Sequence, residues 1–209
     1  MNPAILAANK KQGRGKFDFT NFLLLFSILF IITRVFFWGT YKVEGHSMDP
    51  TLKGGNYLVS INYFTPERGD LVTAKEDDRV IIKRIIGLPN DTIEFKNDKL
   101  YINEVEQDES YLNTFKEAFT KDRLHEIYSY NENYQIRAAQ MTHFTLDNEG
   151  RSEFKITLKD NEYYLLGDNR PVSKDSREVG AFTRNQITGK VIIKNIVILK
   201  RFWLFWIKQ

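Results

Sequence analysis

Few side chains in this sequence can take part in breaking a covalent bond, and their scarcity narrows the chemistry. Cysteine is absent, and only His46, His125 and His143 supply imidazole. Thiol nucleophiles, disulfide frameworks, iron–sulfur clusters and thiolate metal sites are thereby removed, and neither a catalytic zinc nor any other cofactor is expected. One serine stands in a turn-like stretch, Gly45-His46-Ser47-Met48-Asp49-Pro50-Thr51-Leu52, where its hydroxyl and backbone N–H can both be exposed. Read alone, it is an ordinary turn or cap serine. A serine becomes a nucleophile only beside a base, and His46, its immediate neighbour, is badly placed for that work. His125 and His143 lie in a polar stretch, so a Ser-His-Asp triad is not expected.

Lysine can replace histidine when burial lowers its pKa, because desolvation disfavours the ammonium form. The run Val80-Ile81-Ile82-Lys83-Arg84-Ile85-Ile86 sets two cations side by side in an apolar segment. On a strand they point to opposite faces, so one must enter the more apolar side. Gatekeeping of an edge strand is the plainer alternative for either. A third cluster runs Gly167-Asp168-Asn169-Arg170-Pro171-Val172-Ser173-Lys174-Asp175-Ser176-Arg177-Glu178-Val179-Gly180. It follows the apolar run Tyr163-Tyr164-Leu165-Leu166 directly. A surface loop would look the same, but Asp and Arg two apart, with serines on either side, can also brace a site from behind.

The elements that must position these clusters read mainly as β. From Thr40 onward the pattern has period two or short apolar runs rich in β-branched residues: 57–63, 80–86, 92–95, 163–166 and 191–199. Turn signals separate them, as in Lys53-Gly54-Gly55-Asn56 and Leu88-Pro89-Asn90-Asp91. Residues 103–155 differ, being polar, rich in Asn and Glu, with one helical repeat at Leu112, Phe115 and Phe119. They read as an insertion, which leaves 39–102 and 156–209 as the β domain.

The N-terminus has another character. Residues 17–38 are apolar except for Asp18, Thr20, Asn21, Thr33 and Arg34. As a helix, 22 residues would reach about 33 Å, enough for a hydrocarbon core of about 30 Å. No small-residue cleavage site follows, since Arg34-Val35-Phe36-Phe37-Trp38 comes next. The segment therefore reads as an uncleaved anchor, with Arg34 snorkelling to an aromatic belt. Lys10, Lys11, Arg14 and Lys16 precede it and only Lys42 and Lys53 follow within twenty residues, which puts residues 1–16 in the cytoplasm and the body outside the cell. The chain's formal charge is +3; with Arg34 and the N-terminal cluster set aside, residues 39–209 carry −1. So neutral a body excludes a nucleic-acid partner. The C-terminal segment Arg201-Phe202-Trp203-Leu204-Phe205-Trp206-Ile207-Lys208 is too short to span, and fits either core burial or contact with the membrane surface.

Taken together, four motifs in order after an anchor resemble the type I signal peptidases, membrane-anchored Ser-Lys proteases that remove signal peptides from exported proteins. These are Ser47-Met48-x-Pro50-Thr51-Leu52, Arg68-Gly69-Asp70-Leu71-Val72, Lys83-Arg84-Ile85-Ile86-Gly87-Leu88-Pro89-x-Asp91, and Gly167-Asp168-Asn169-Arg170-x-x-Ser173-x-Asp175-Ser176-Arg177. The single anchor and modest length are similar to the Gram-positive form. The resemblance implies a mostly antiparallel β core, of the kind shared with LexA-like self-cleaving repressors, bearing a variable inserted region. It implies Ser47 as nucleophile, Lys83 as general base, Ser173 as the hydroxyl that orients the lysine, and Asp175 with Arg177 as a structural ion pair. The Ser47 backbone N–H is the implied oxyanion donor. In some members a serine two residues before the nucleophile supplies a second; this chain has Gly45 there. Pro171-Val172 replaces more polar residues found in many members.

The implied partners are preproteins bearing signal peptides cut after Ala-x-Ala-type sites, cytoplasmic membrane lipid, and a secretion translocon nearby. Two rivals are a soluble self-cleaving repressor-type protein, which would lack the anchor, and a catalytically idle relative, which would lack the serine or the lysine.

Overall fold

The computed structural model describes residues 19–194. The expected cytoplasmic tip 1–16, Phe17 and Asp18, the far end of the 191–199 run and the aromatic segment 201–208 lie outside the described residues.

Two units are formed, one ending at Phe36 and the other opening at Phe37. In the first, helix α1 (Phe19–Phe36) exposes apolar side chains all round, Phe22, Leu24, Leu29 and Ile31 each being more than half exposed. Its 18 residues correspond to about 27 Å, and among the described residues no helix is long and apolar enough to cross a membrane. The expected segment 17–38 is thus helical only in part, because Trp38 already opens a strand.

The second unit is built on antiparallel sheets, as the period-two pattern implies. The larger contains β1 (Trp38–Lys42), β2 (Tyr57–Ile61), β3 (Leu71–Glu76), β4 (Arg79–Gly87), β9 (Glu162–Leu166), β10 (Phe182–Thr183) and β11 (Ile187–Lys194), in the order β1-β2-β11-β3-β4-β9-β10. The smaller has β5 (Thr92–Lys96), β6 (Lys99–Ile102), β7 (Val105–Glu106) and β8 (Glu153–Thr157), ordered β7-β6-β5-β8. β8 straddles the expected end of the insertion at residue 155.

One feature of the register matters for the site. β4 pairs with β3 from Arg79 to Arg84, but β9 joins its other side only from Arg84 onward. Among the described residues, the stretch Arg79–Lys83 therefore has a strand on one edge alone.

Between β7 and β8 the insertion carries helices α2 (Asn113–Asp122) and α3 (Glu132–Gln140). The expected repeat holds: Leu112, Phe115 and Phe119 are buried with Leu124, Tyr128, Ala138 and Phe144 in a core of their own. Val172 packs against this core, so the apolar residue in the motif loop meets an apolar neighbour. Asn131 caps α3 by accepting from the Tyr134 N–H at 3.2 Å, and Arg123 ends α2 at φ 54°.

Candidate active site

Ser47 and Lys83 line one cleft of about 220 Å³ with Tyr41, Lys42, Val43, Glu44, Met48 and the β4 residues Val80, Ile81 and Ile82. Ser47 lies in a turn, half-buried, immediately before the buried Met48. Its neighbour His46 is turned to other work: Nδ1 meets Asp49 Oδ2 at 3.0 Å, and the ring rests on Tyr130 with centroids 4.5 Å apart.

The two cations of β4 part as strand alternation requires. Arg84 binds Asp168 through two contacts, Nε to Oδ1 at 2.8 Å and Nη2 to Oδ2 at 2.6 Å, and gives Nη1 to the Gly69 carbonyl at 2.9 Å. Lys83 is 3% exposed. Burial pushes its amine below the ordinary lysine range, against the opposing pull of Asp175 and Glu76. A lysine with a lowered pKa, lining the same cleft as the half-buried Ser47, suits proton abstraction from a hydroxyl.

The loop after β9 supports both. Gly167 is wedged so tightly that a Cβ there would lie 2.1 Å from Ser173 Oγ and 2.5 Å from the Ser47 carbonyl oxygen. Ser173 and the Ser47 carbonyl thus both crowd the one face of Gly167 where a side chain would stand. Ser173 is buried, and its hydroxyl makes no hydrogen bond among the described residues. A buried hydroxyl without a partner costs about 1–3 kcal/mol, and a polar group at the site would relieve it.

Asp175 forms a two-pronged pair with Arg177, Nε to Oδ1 and Nη2 to Oδ2, each at 2.8 Å, and accepts from the Gly167 N–H at 3.0 Å. Burial would raise this carboxyl, but Arg177, the Gly167 N–H and Lys83 hold it below the usual range. Arg177 also donates to the carbonyls of Leu146, Arg170 and Ser173. The pair thus ties the loop into one piece.

At Gly45 the backbone has φ 78°, a left-handed conformation that a serine would adopt only under strain. All five residues singled out from the sequence lie at this cleft or in the loop behind it. Sequence reasoning assigned no part to Asp168, which anchors Arg84, or to Asn169, whose N–H donates to the Ser47 carbonyl at 3.0 Å. Their place directly after an apolar strand was the available signal. Nothing in the sequence pointed to Glu109, which pairs with the fully buried Arg170 at 2.5 Å from inside the insertion.

Comparison with known proteins shows the family. Residues 16–196 match the model of the family described as signal peptidase, peptidase S26. Signal peptidase I of Streptococcus pneumoniae (strain ATCC BAA-255 / R6) is 42% identical over 191 residues, covering 87% of this chain and 90% of that protein. Signal peptidase IB of Staphylococcus aureus (strain Mu50 / ATCC 700699) is 38% identical over 192 residues, 86% of this chain and 85% of its own length. The crystal structure of a signal peptidase I from Enterococcus faecalis V583 covers 62% of this chain and 98% of that one, at 32% identity and a TM-score of 0.44. The chain belongs to the signal peptidase family, peptidase S26. It is a serine endopeptidase of the bacterial type I signal peptidase class.

Proposed function

We propose that this peptidase removes signal peptides from exported preproteins with Ser47 as nucleophile and Lys83 as general base. The observation that carries the assignment is the buried, pKa-lowered Lys83 sharing a cleft with Ser47. The neutral amine takes the hydroxyl proton as Ser47 Oγ attacks the scissile carbonyl, and the Ser47 N–H donates to the resulting oxyanion. Collapse breaks the C–N bond, the lysine proton passes to the leaving amine, and the signal peptide stays on Ser47 as an ester. Water, deprotonated by the same lysine, then hydrolyses it. Ser173 offers its unpartnered hydroxyl to orient the amine, and Asp175 with Arg177 holds the loop.

The edge of 79–83 on β4 that bears no strand among the described residues suits an extended peptide that pairs as an added strand. In such a strand the first and third residues before the cut face the same wall. Val43, Met48 and Ile82 line the cleft closely enough to favour small side chains there, in keeping with Ala-x-Ala sites.

For the membrane, α1 supports an anchor because a helix apolar on every face is poorly matched to water. We place 1–16 in the cytoplasm and the body outside, where membrane lipid and a translocon bring preproteins past. We retain 39–102 with 156–209 as the catalytic domain and 103–155 as its insertion.

The test is cleavage of a preprotein by the purified chain, with the mature N-terminus read by mass spectrometry. Ser47→Ala and Lys83→Met should each abolish it, and the double variant should lose no more, since the two act as one unit. Near-normal turnover in either single variant would overturn the assignment. Protease added to intact protoplasts should digest the body, and protection of the body would reverse the orientation.

A further inference from the structure

Residues 103–155 carry no group that the cleavage steps use, yet one buried side chain among them lies a single hydrogen bond from the residue holding the nucleophile's turn. Tyr128 is wholly buried. Its hydroxyl donates to Asn169 Oδ1. The same amide sends Nδ2 to the His46 carbonyl at 2.9 Å, while the Asn169 N–H donates to the Ser47 carbonyl at 3.0 Å. Both backbone carbonyls flanking the Ser47 N–H and Cα are thus gripped by one residue, and the orientation of that residue's amide depends on Tyr128.

The dependence is geometric. The His46 carbonyl can only accept, so Nδ2 must face it and Oδ1 must face the other way, into the insertion core. There the phenol is the donor that satisfies it. Burial pushes the Tyr128 hydroxyl far above the ordinary tyrosine range, which keeps it a donor at every working pH. Its ring is held edge-on by Phe115 and Tyr134, with centroids 6.5 and 5.6 Å away. A second tie between the same two segments, Glu109 to Arg170, keeps the insertion in register with the motif loop.

We propose that Tyr128 is a positioning residue for cleavage, acting through Asn169 on the backbone of the Ser47 turn, and that the inserted region is by this route a working part of the active site. The proposal rests on the reading of Ser47 as nucleophile. Loss of the phenol hydroxyl leaves the ring packing in place but frees the Asn169 amide to turn, and the Ser47 turn loses its fixed carbonyls. Misplacement of a reacting group by a fraction of an ångström to 1 Å costs up to about a hundredfold in rate.

The experiment measures kcat, KM and melting temperature for the full chain in detergent on an Ala-x-Ala peptide. Tyr128→Phe should lower kcat about tenfold, with KM essentially unchanged and a small loss of melting temperature. Asn169→Ala should lower kcat further, and adding Tyr128→Phe to it should cost nothing more, because both cut the same link. Phe119→Leu, which loosens the same core where it packs on Phe144 and not on Tyr128, should lower the melting temperature while keeping kcat per folded molecule. A wild-type kcat in Tyr128→Phe, additive losses in the double variant, or an equal kcat loss in Phe119→Leu would each overturn the proposal. Ser47→Ala, run alongside, separates the two levels: turnover there removes the nucleophile assignment itself.

Discussion

Gly167 offers a test of whether the contact between the two proposed site serines governs cleavage. In ordinary contact a Cβ lies 3.4–4 Å from its neighbours, but one built on Gly167 would lie 2.1 Å from Ser173 Oγ and 2.5 Å from the Ser47 carbonyl oxygen. The shortfall against 3.4 Å is 1.3 Å at the first contact and 0.9 Å at the second. Neither neighbour can give way alone. Ser173 is 1% exposed, and the Ser47 carbonyl is held by the Asn169 N–H at 3.0 Å. Gly167→Ala must therefore push both serines outward together. Overpacking of this kind costs about 1–3 kcal/mol in stability, which an enzyme survives. A displacement near 1 Å at the reacting groups costs about a hundredfold in rate. We expect kcat on an Ala-x-Ala peptide to fall about a hundredfold, while chemical denaturation shows a loss of only about 1–3 kcal/mol. A variant that is destabilised by that amount but turns over at the wild-type rate would refute the reasoning, since the serines would then have moved without consequence.

Three further outcomes follow from charge and architecture. Because Lys83 must be neutral to act and burial lowers its pKa, kcat/KM should rise with pH through a value below about 10.4; Glu76→Gln removes a charge that raises that pKa, so the rising limb should move to lower pH, and an unmoved limb would argue against Lys83 as the base. Asp175→Asn leaves the buried Arg177 guanidinium unpaired and should cost about 3–5 kcal/mol by urea denaturation. The Asp175 carboxyl is depressed in the folded state, so its contribution is present above the unfolded value of about 3.9 and is lost as pH falls through the folded one; stability of Asp175→Asn should accordingly fall less steeply with acid. Deleting residues 1–36 should leave cleavage of short peptides intact and slow the cleavage of bilayer-embedded preproteins in liposomes, because a shared membrane concentrates the two partners; equal loss on both substrates would show that the segment serves folding instead.

The sequence by itself determined the elements that local pattern can specify. Alternation and β-branched runs announced strands at 57–63, 80–86, 92–95 and 163–166, and strands form at 57–61, 79–87, 92–96 and 162–166, since side-chain period is a property of neighbours in the chain. Spacing at Leu112, Phe115 and Phe119 announced a helix, and its buried face is that stripe. Residue type alone excluded thiol and triad chemistry; Ser47 and Lys83 as a pair were what the resemblance carried by the four motifs implied. What local pattern could not supply was how segments far apart in the chain close on one another. The partner of Arg84 lies 84 residues away at Asp168, and the partner of Tyr128 lies 41 residues away at Asn169. No periodicity encodes such a pairing. It depends on β9 joining β4 only from Arg84 onward, which leaves 79–83 with an edge that no described strand occupies and carries the 167–177 loop behind Ser47. The depth of burial that lowers the Lys83 pKa is of the same kind, because desolvation is imposed by every segment packed around the amine and becomes defined only when the tertiary structure has closed.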